Sequence, residues 1–282
     1  MSTWNPEQTG DDYAISLMGW LRVAFRALAL IVLMLCGLAA LLLMRLIEAP
    51  LFGVNRPWTP YITQFVCRTA FLIMGMKFST KGRQMKQAGA VVANHGSWLD
   101  IFSLNASKRV YFVSKAEVAN WPGIGWLARA TGTVFIRRER ADAKLQQDLF
   151  ETRLTAGHKL LFFPEGTSTD GLRVLPFKST LFAAFFTDHL RDIMWVQPVT
   201  VAYQAPKGQS PRFYGWWGDM EFDSHLLKTL AVPRQGSVMV TYHTPLKVSE
   251  FVDRKALAAA CEHAVRSGMP DALIEAGHAY EG

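Results

Sequence analysis

Residues 27–44 carry no charged or strongly polar side chain, eighteen positions in a row. A helix of that length spans about 27 Å, close to the hydrocarbon thickness of a bilayer. Such a run is held either in lipid or wholly inside a core, and Arg22, Arg26 and Arg45 flank it with charge. Its distance from Met1 and its flanks do not suit a cleaved signal peptide. A break follows at Pro50, Gly53, Pro57 and Pro60. Residues 61–76 then form a second apolar stretch with Gln64 and Arg68 on one side, amphipathic enough to lie in a membrane interface. The sequence predicts an N-terminal membrane-embedded two-helix segment. Spanning and single-leaflet insertion give the same pattern.

The pattern changes from residue 89 onward. Short apolar runs at 90–93, 110–113, 134–136, 160–163, 195–202 and 238–243 are expected strands. Between and after them, 98–106, 124–130, 141–156, 181–188, 225–230 and 250–267 have helical character. That alternation predicts an α/β fold, a largely parallel central sheet flanked by helices. The expected division is an anchoring segment over 1–80 and a globular domain over 81–282.

Two segments sit where an expected strand gives way to a turn. They are Asn94-His95-Gly96-Ser97-Trp98-Leu99-Asp100 and Phe163-Pro164-Glu165-Gly166-Thr167. In open α/β sheets that carboxyl edge is where ligands bind. His95 and Asp100 are five positions apart, so they meet only if the chain bends between them. Gly96-Ser97 supplies the bend, and Ser97 suits the N-cap of a helix starting at Trp98. Asp100 then leans back toward His95. The same spacing is a capping box, which accounts for Asp100 with no chemistry at all. Both readings stand at this stage.

The first segment resembles the leading motif of the membrane lysolipid acyltransferases, the family of 1-acylglycerol-3-phosphate acyltransferase: Asn-His, four residues, Asp. Three further blocks match in order. Gly132-Thr133-Val134-Phe135-Ile136-Arg137-Arg138 is similar to the second motif, residues 163–167 to the third, and Val196-Gln197-Pro198-Val199 to the fourth. The resemblance covers about residues 91–203. It implies that residues 81–282 form an acyltransferase domain, held against the membrane by the N-terminal helices.

The implied reaction moves an acyl group from a thioester, acyl-CoA or acyl carrier protein, onto a free lysolipid hydroxyl. An alcohol is a poor nucleophile at neutral pH, so the resemblance casts His95 as general base and Asp100 as its orienting partner. Ser97 lacks a nucleophile elbow and is better read as a cap. Arg138, Glu165, Gly166 and Thr167 are implied to hold the polar part of the acceptor, arginine being suited to phosphate or carboxylate. For Glu165 the choice lies between supporting Arg138 and bonding a glycerol hydroxyl. Lys178, opening an expected helix, adds either to an anion site or to an exposed surface. The aromatic stretch 212–220 lines an acyl groove, lies at the interface or packs in the core. One departure stands out: where many phosphate-acceptor members carry arginine after Glu-Gly-Thr, this chain has Ser168. Lysophosphatidic acid is the first expected acceptor, and a lyso-ornithine lipid or other lyso-aminolipid the alternative. A non-catalytic lipid-binding or remodelling protein is the reading from another class.

Composition fits these expectations. The chain holds 30 Lys+Arg against 23 Asp+Glu, a net charge of +7 that favours anionic partners. The expected partners are a lysolipid acceptor, an acyl thioester donor and membrane lipid, with no nucleic acid. Between residues 77 and 86 there are four basic side chains and no acid, which reads as a headgroup-facing block. Cys36, Cys67 and Cys261, and the histidines beyond His95, lack ligand spacing, so no metal is assigned and no cofactor beyond the acyl donor is expected. The expected location is the cell inner membrane, with the active site facing the cytoplasm.

Overall fold

Apolar side chains alternate along the central strands and are buried on both sides, which gives the sheet two cores. The structure, a computed structural model, describes Trp4 and residues 14–121, 123–136 and 143–278, with backbone alone for 143–147. Its strands are β1 (Lys77–Lys81), β2 (Gly89–Ala93), β3 (Tyr111–Lys115), β4 (Val134–Ile136), β5 (Leu160–Phe162), β6 (Trp195–Gln204), β7 (Ser237–Tyr242) and β8 (Leu246–Lys247). The helices are α1 (Leu17–Phe52), α2 (Thr59–Met74), α3 (Asp100–Ser107), α4 (Ile124–Thr131), α5 (Ala143–Thr155), α6 (Phe222–Ala231), α7 (Arg254–Ser267) and α8 (Asp271–His278).

The sheet order is β1-β7-β6-β2-β5-β3-β4, with β8 also on β6. From β6 to β4 all neighbours are parallel. β7 runs antiparallel to β6 and β1 follows β7, so one edge is reversed. The predicted α/β class with a largely parallel sheet is what the chain forms. On one face Val91, Ala93, Leu161, Val199 and Val201 pack with residues of α2, α3 and α6. On the other, Ala90, Val92, Phe162 and Val196 pack with α7 and a run of 3-10 turns over Ser179–Phe186. Strands covered on both faces read as unbroken apolar runs, which is why they were visible in the sequence.

Several elements differ from expectation. The helix expected from residue 98 begins at Asp100. The segment expected as a helix over 181–188 is the 3-10 run, and α8 was not foreseen. Residues 77–81 of the basic block form β1, a strand not among those expected, in which Lys77 to Lys81 pair in register with Ser237 to Thr241. Its charged residues lie along the outer strand of the sheet, where they discourage further strand pairing. The division expected at residue 80 falls inside β1.

α1 is 36 residues long, about 54 Å at helical rise, and is the one described helix long and apolar enough to cross a membrane. Leu28, Ile31, Leu35, Leu43 and Leu46 are among its exposed side chains. Its first turns are fastened to the domain instead. Arg22 donates to Ala231 O at 2.9 Å, and Arg26 to Leu230 O and Val232 O, each at 2.7 Å. These bonds satisfy carbonyls at the C-terminal end of α6, where a cation is also favoured by the helix dipole. α2 is held in the same way: Arg68 and Gln64 donate to Ala106 O, and Gln64 also to Ser107 O, at the end of α3. The polar side of α2 therefore faces the domain. Tyr61, Phe65 and Leu72 lie on the outer side.

Arg26→Ala removes both bonds to the end of α6. Hydrogen bonds from a charged donor are worth about 1.5–3 kcal/mol each, so this variant should unfold at a lower temperature in detergent. Leu28→Ala, on the exposed face, should not. Equal unfolding temperatures for wild type and Arg26→Ala would show that this capping contributes nothing.

Candidate active site

Strand β2 ends in a loop in which nearly every polar group has a partner. Asn94 is buried, and its amide bonds both backbone groups of Val201, extending the β2–β6 ladder by one side chain. The His95 amide donates to Glu165 Oε1 at 2.8 Å, and its carbonyl accepts from Thr169 N, also at 2.8 Å. The Gly96 carbonyl accepts from Trp216 N. A Cβ on Gly96 would stand 2.8 Å from the Gly171 backbone, so only glycine fits there.

Asp100 lies beneath this loop with no solvent exposure. Its Oδ2 accepts from His95 Nδ1 at 2.8 Å, Gly96 N at 3.0 Å and Ser97 N at 3.1 Å. Oδ1 accepts from the Tyr203 hydroxyl at 2.8 Å. The bonds to Gly96 N and Ser97 N reach back into the turn that precedes α3, so one carboxylate holds both this turn and His95. Ser97 Oγ accepts from Leu99 N. A carboxylate can only accept, so beside it a neutral His95 carries its proton on Nδ1 and its lone pair on Nε2. The His95 ring stacks on Phe163, centroids 4.1 Å apart at 11°, and its side chain is 21% exposed, toward a cleft.

The second segment sits on the neighbouring parallel strand. Glu165 is buried, and its Oε2 accepts from Leu175 N at 2.9 Å. With Oε1 on the His95 amide, its carboxyl ties two loops together. Loss of solvent pushes this carboxyl up to about 8, outweighing the downward pull of the two N–H donors. Gly166 has φ +73°, and Lys178 Nζ lies 2.6 Å from where its Cβ would stand. The positive φ favours glycine here, and Lys178 lies against the Glu-Gly-Thr turn. Gly166, Thr167 and Ser168 line the same cleft as His95. Arg138 and Arg137 lie outside the described residues.

The cleft holds about 550 Å³ and opens at the carboxyl ends of β2, β5, β3 and β4. Away from His95 its walls turn apolar, with Val113, Ile136, Phe150, Ala183, Ala184 and Phe185 among them. Sequence reading did not assign these walls. The small-and-large pattern in Leu181-Phe182-Ala183-Ala184-Phe185 was their one signal. Of the aromatic stretch considered for this purpose, Phe213, Tyr214 and Trp217 are buried, and Trp216 lines the cleft. Asp170, also missed, is buried between Arg173 and Arg212 and steadies the loop that carries Thr169.

An acyltransferase family model matches residues 77–201. The lyso-ornithine lipid O-acyltransferase of Rhodobacter capsulatus is 60% identical, over 94% of this chain and 96% of that protein. The chain belongs to the lysolipid acyltransferase family. It is an enzyme that moves an acyl group onto the hydroxyl of a lysolipid. The lyso-ornithine lipid O-acyltransferase of Brucella abortus is 36% identical over 77% of this chain and 85% of its own. The 1-acyl-sn-glycerol-3-phosphate acyltransferase of Neisseria gonorrhoeae is 29% identical over 72% and 77%. In fold, the chain is similar to the crystal structure of the 1-acyl-sn-glycerophosphate acyltransferase of Thermotoga maritima, with a TM-score of 0.56 at 21% identity. That likeness covers 86% of this chain and 95% of the other. The first two relatives side with the alternative acceptor weighed above, over lysophosphatidic acid.

Glu165 gives this lysolipid acyltransferase a testable pH signature. An unfolded glutamate titrates near 4.5, whereas the folded one titrates near 8, so between these values the folded protein holds an extra proton. That contribution to stability is complete below about 4.5 and is lost as pH rises through about 8. Glu165→Gln should remove this downward slope from a plot of unfolding temperature against pH. Parallel plots for the two proteins would return the carboxyl to its ordinary range.

Proposed function

We propose that the chain is a lyso-ornithine lipid O-acyltransferase in which His95 Nε2 is the general base. The carrying observation is the His95–Asp100 pair, which presents an unprotonated Nε2 at the mouth of a largely apolar cleft. As the acceptor oxygen attacks the thioester carbonyl, Nε2 takes its proton. The tetrahedral carbon then expels the thiolate, and the imidazolium returns the proton to sulfur. Asp100 fixes the tautomer and stabilises the imidazolium, as in a hydrolase triad with the substrate hydroxyl in place of serine. The acyl chain fits the apolar end of the cleft, and the headgroup the end lined by Gly166, Thr167 and Ser168. Arg138 and Lys178 supply positive charge for a headgroup carboxylate or phosphate.

An amino-acid headgroup is supported by Ser168, where an arginine would favour phosphate, and by the 60% identical relative. The second reading, lysophosphatidic acid, rests on the net charge of +7 and on Lys178 lying over Gly166. The exposed apolar length of α1 supports a place in the cell inner membrane. The cation-bearing headgroup end is consistent with an active site facing the cytoplasm.

The test is turnover of purified enzyme with an acyl thioester and both lysolipids in competition. His95→Ala should lose at least 10²-fold, the lower end for a general base, while still folding in detergent. Wild-type enzyme should show the higher kcat/KM for lyso-ornithine lipid. Wild-type-like turnover by His95→Ala would sink the base assignment, and preference for lysophosphatidic acid would sink the acceptor.

A further inference from the structure

The two oxygens of Asp100 are held from different places. All three donors to Oδ2 come from residues 95–97, within the same loop. Oδ1 is reached from β6, where Tyr203 donates at 2.8 Å. Alternation along β6 puts Val199, Val201 and Tyr203 on the face that α3 covers, so this register aims the phenol under the first turn of α3. Tyr203 is buried, with Ser103 Oγ 3.4 Å from its hydroxyl and the Tyr214 ring 5.8 Å from its own. A buried carboxylate oxygen left without a donor is costly, and a carboxylate held at one oxygen can still rotate.

We propose that Tyr203 is a positioning residue for acyl transfer: its hydroxyl pins Asp100 Oδ1 and sets how strongly the carboxylate favours a protonated His95. This inference rests on His95 acting as the base. Burial and the neighbouring carboxylate push the Tyr203 phenol well above its ordinary value, so it stays a donor throughout the working range. A donor on Oδ1 takes up part of the carboxylate's charge and so weakens its pull on the imidazolium. Among the described residues, the other ionisable groups nearby are Glu165, bonded to the His95 amide, Tyr214, packed on Tyr203, Lys178, against Gly166, and Lys115, in the cleft that His95 lines. None of them is altered in the variants below, so a limb due to Glu165 stays in place.

The experiment is the pH dependence of kcat/KM for wild type, Tyr203→Phe, and an enzyme with fluorotyrosine at position 203. Without the hydroxyl, more charge stays on Asp100 and imidazolium is favoured, so the acid limb should move to higher pH. The plateau should fall roughly tenfold, the worth of one charge-assisted bond. Fluorotyrosine has nearly the same shape but donates more strongly, and should move the limb to lower pH. It decides the matter alone if Tyr203→Phe does not fold. An acid limb at the wild-type position with fluorotyrosine, whatever happens to stability, would reduce Tyr203 to a packing residue. If His95→Ala, assayed alongside these enzymes, is inactive, the base reading survives and only the role of Tyr203 is lost.

Discussion

A carboxylate with no access to water lies at the junction of β2 and α3, and donors from the loop between them and from β6 converge on it. Asp100 would be prohibitively costly to bury unpaired. Its partners, His95, Gly96, Ser97 and Tyr203, therefore have to come together for the chain to fold as it does. The same bonds that shape the loop also build the His95–Asp100 pair. The stacking of His95 on Phe163 fixes the ring plane, and the Glu165 bond to the His95 amide fixes its backbone. What remains exposed of the histidine is the edge that faces the cleft.

The two N-terminal helices are coupled to this centre through helix ends. α3 starts at Asp100 and ends at carbonyls bonded by Arg68 and Gln64 of α2. α6 ends at carbonyls bonded by Arg22 and Arg26 of α1, and its His225 accepts from the Trp98 indole in the segment between β2 and α3. Burial and the nearby Lys228 push His225 down to about 4, which keeps it neutral and able to accept. Glu48, buried in α1, bonds the first amides of α2 and locks the two helices as a hairpin. The arginines next to the apolar run in the sequence thus do more than mark its limits. They set the orientation of the domain relative to α1.

Local signals carried much of this. The doubly covered strands are unbroken apolar runs, and the turn after each has the residues that its chemistry needs. Long-range partners were not legible. Tyr203 is 103 residues from Asp100, and nothing in its own surroundings marks it as a donor. Glu165 was seen, but its role was open because the amides it bonds belong to backbone, which has no sequence signature. β1 was hidden because an outer strand needs few apolar residues, and its lysines suggested headgroups instead. The apolar cleft is assembled from separate elements, among them β3, β4, β5, α5 and the 3-10 run over Ser179–Phe186, so no single window of sequence outlines it.

The account turns on which ring nitrogen of His95 holds the proton. Nitrogen NMR of enzyme with isotope-labelled histidine reads this directly, with His95→Gln used to assign the signal. At neutral pH the proton should be on Nδ1, bonded to Asp100, leaving Nε2 as the free lone pair, and Asp100→Asn should abolish that preference. A His95 protonated on Nε2 in the wild-type enzyme would contradict the account.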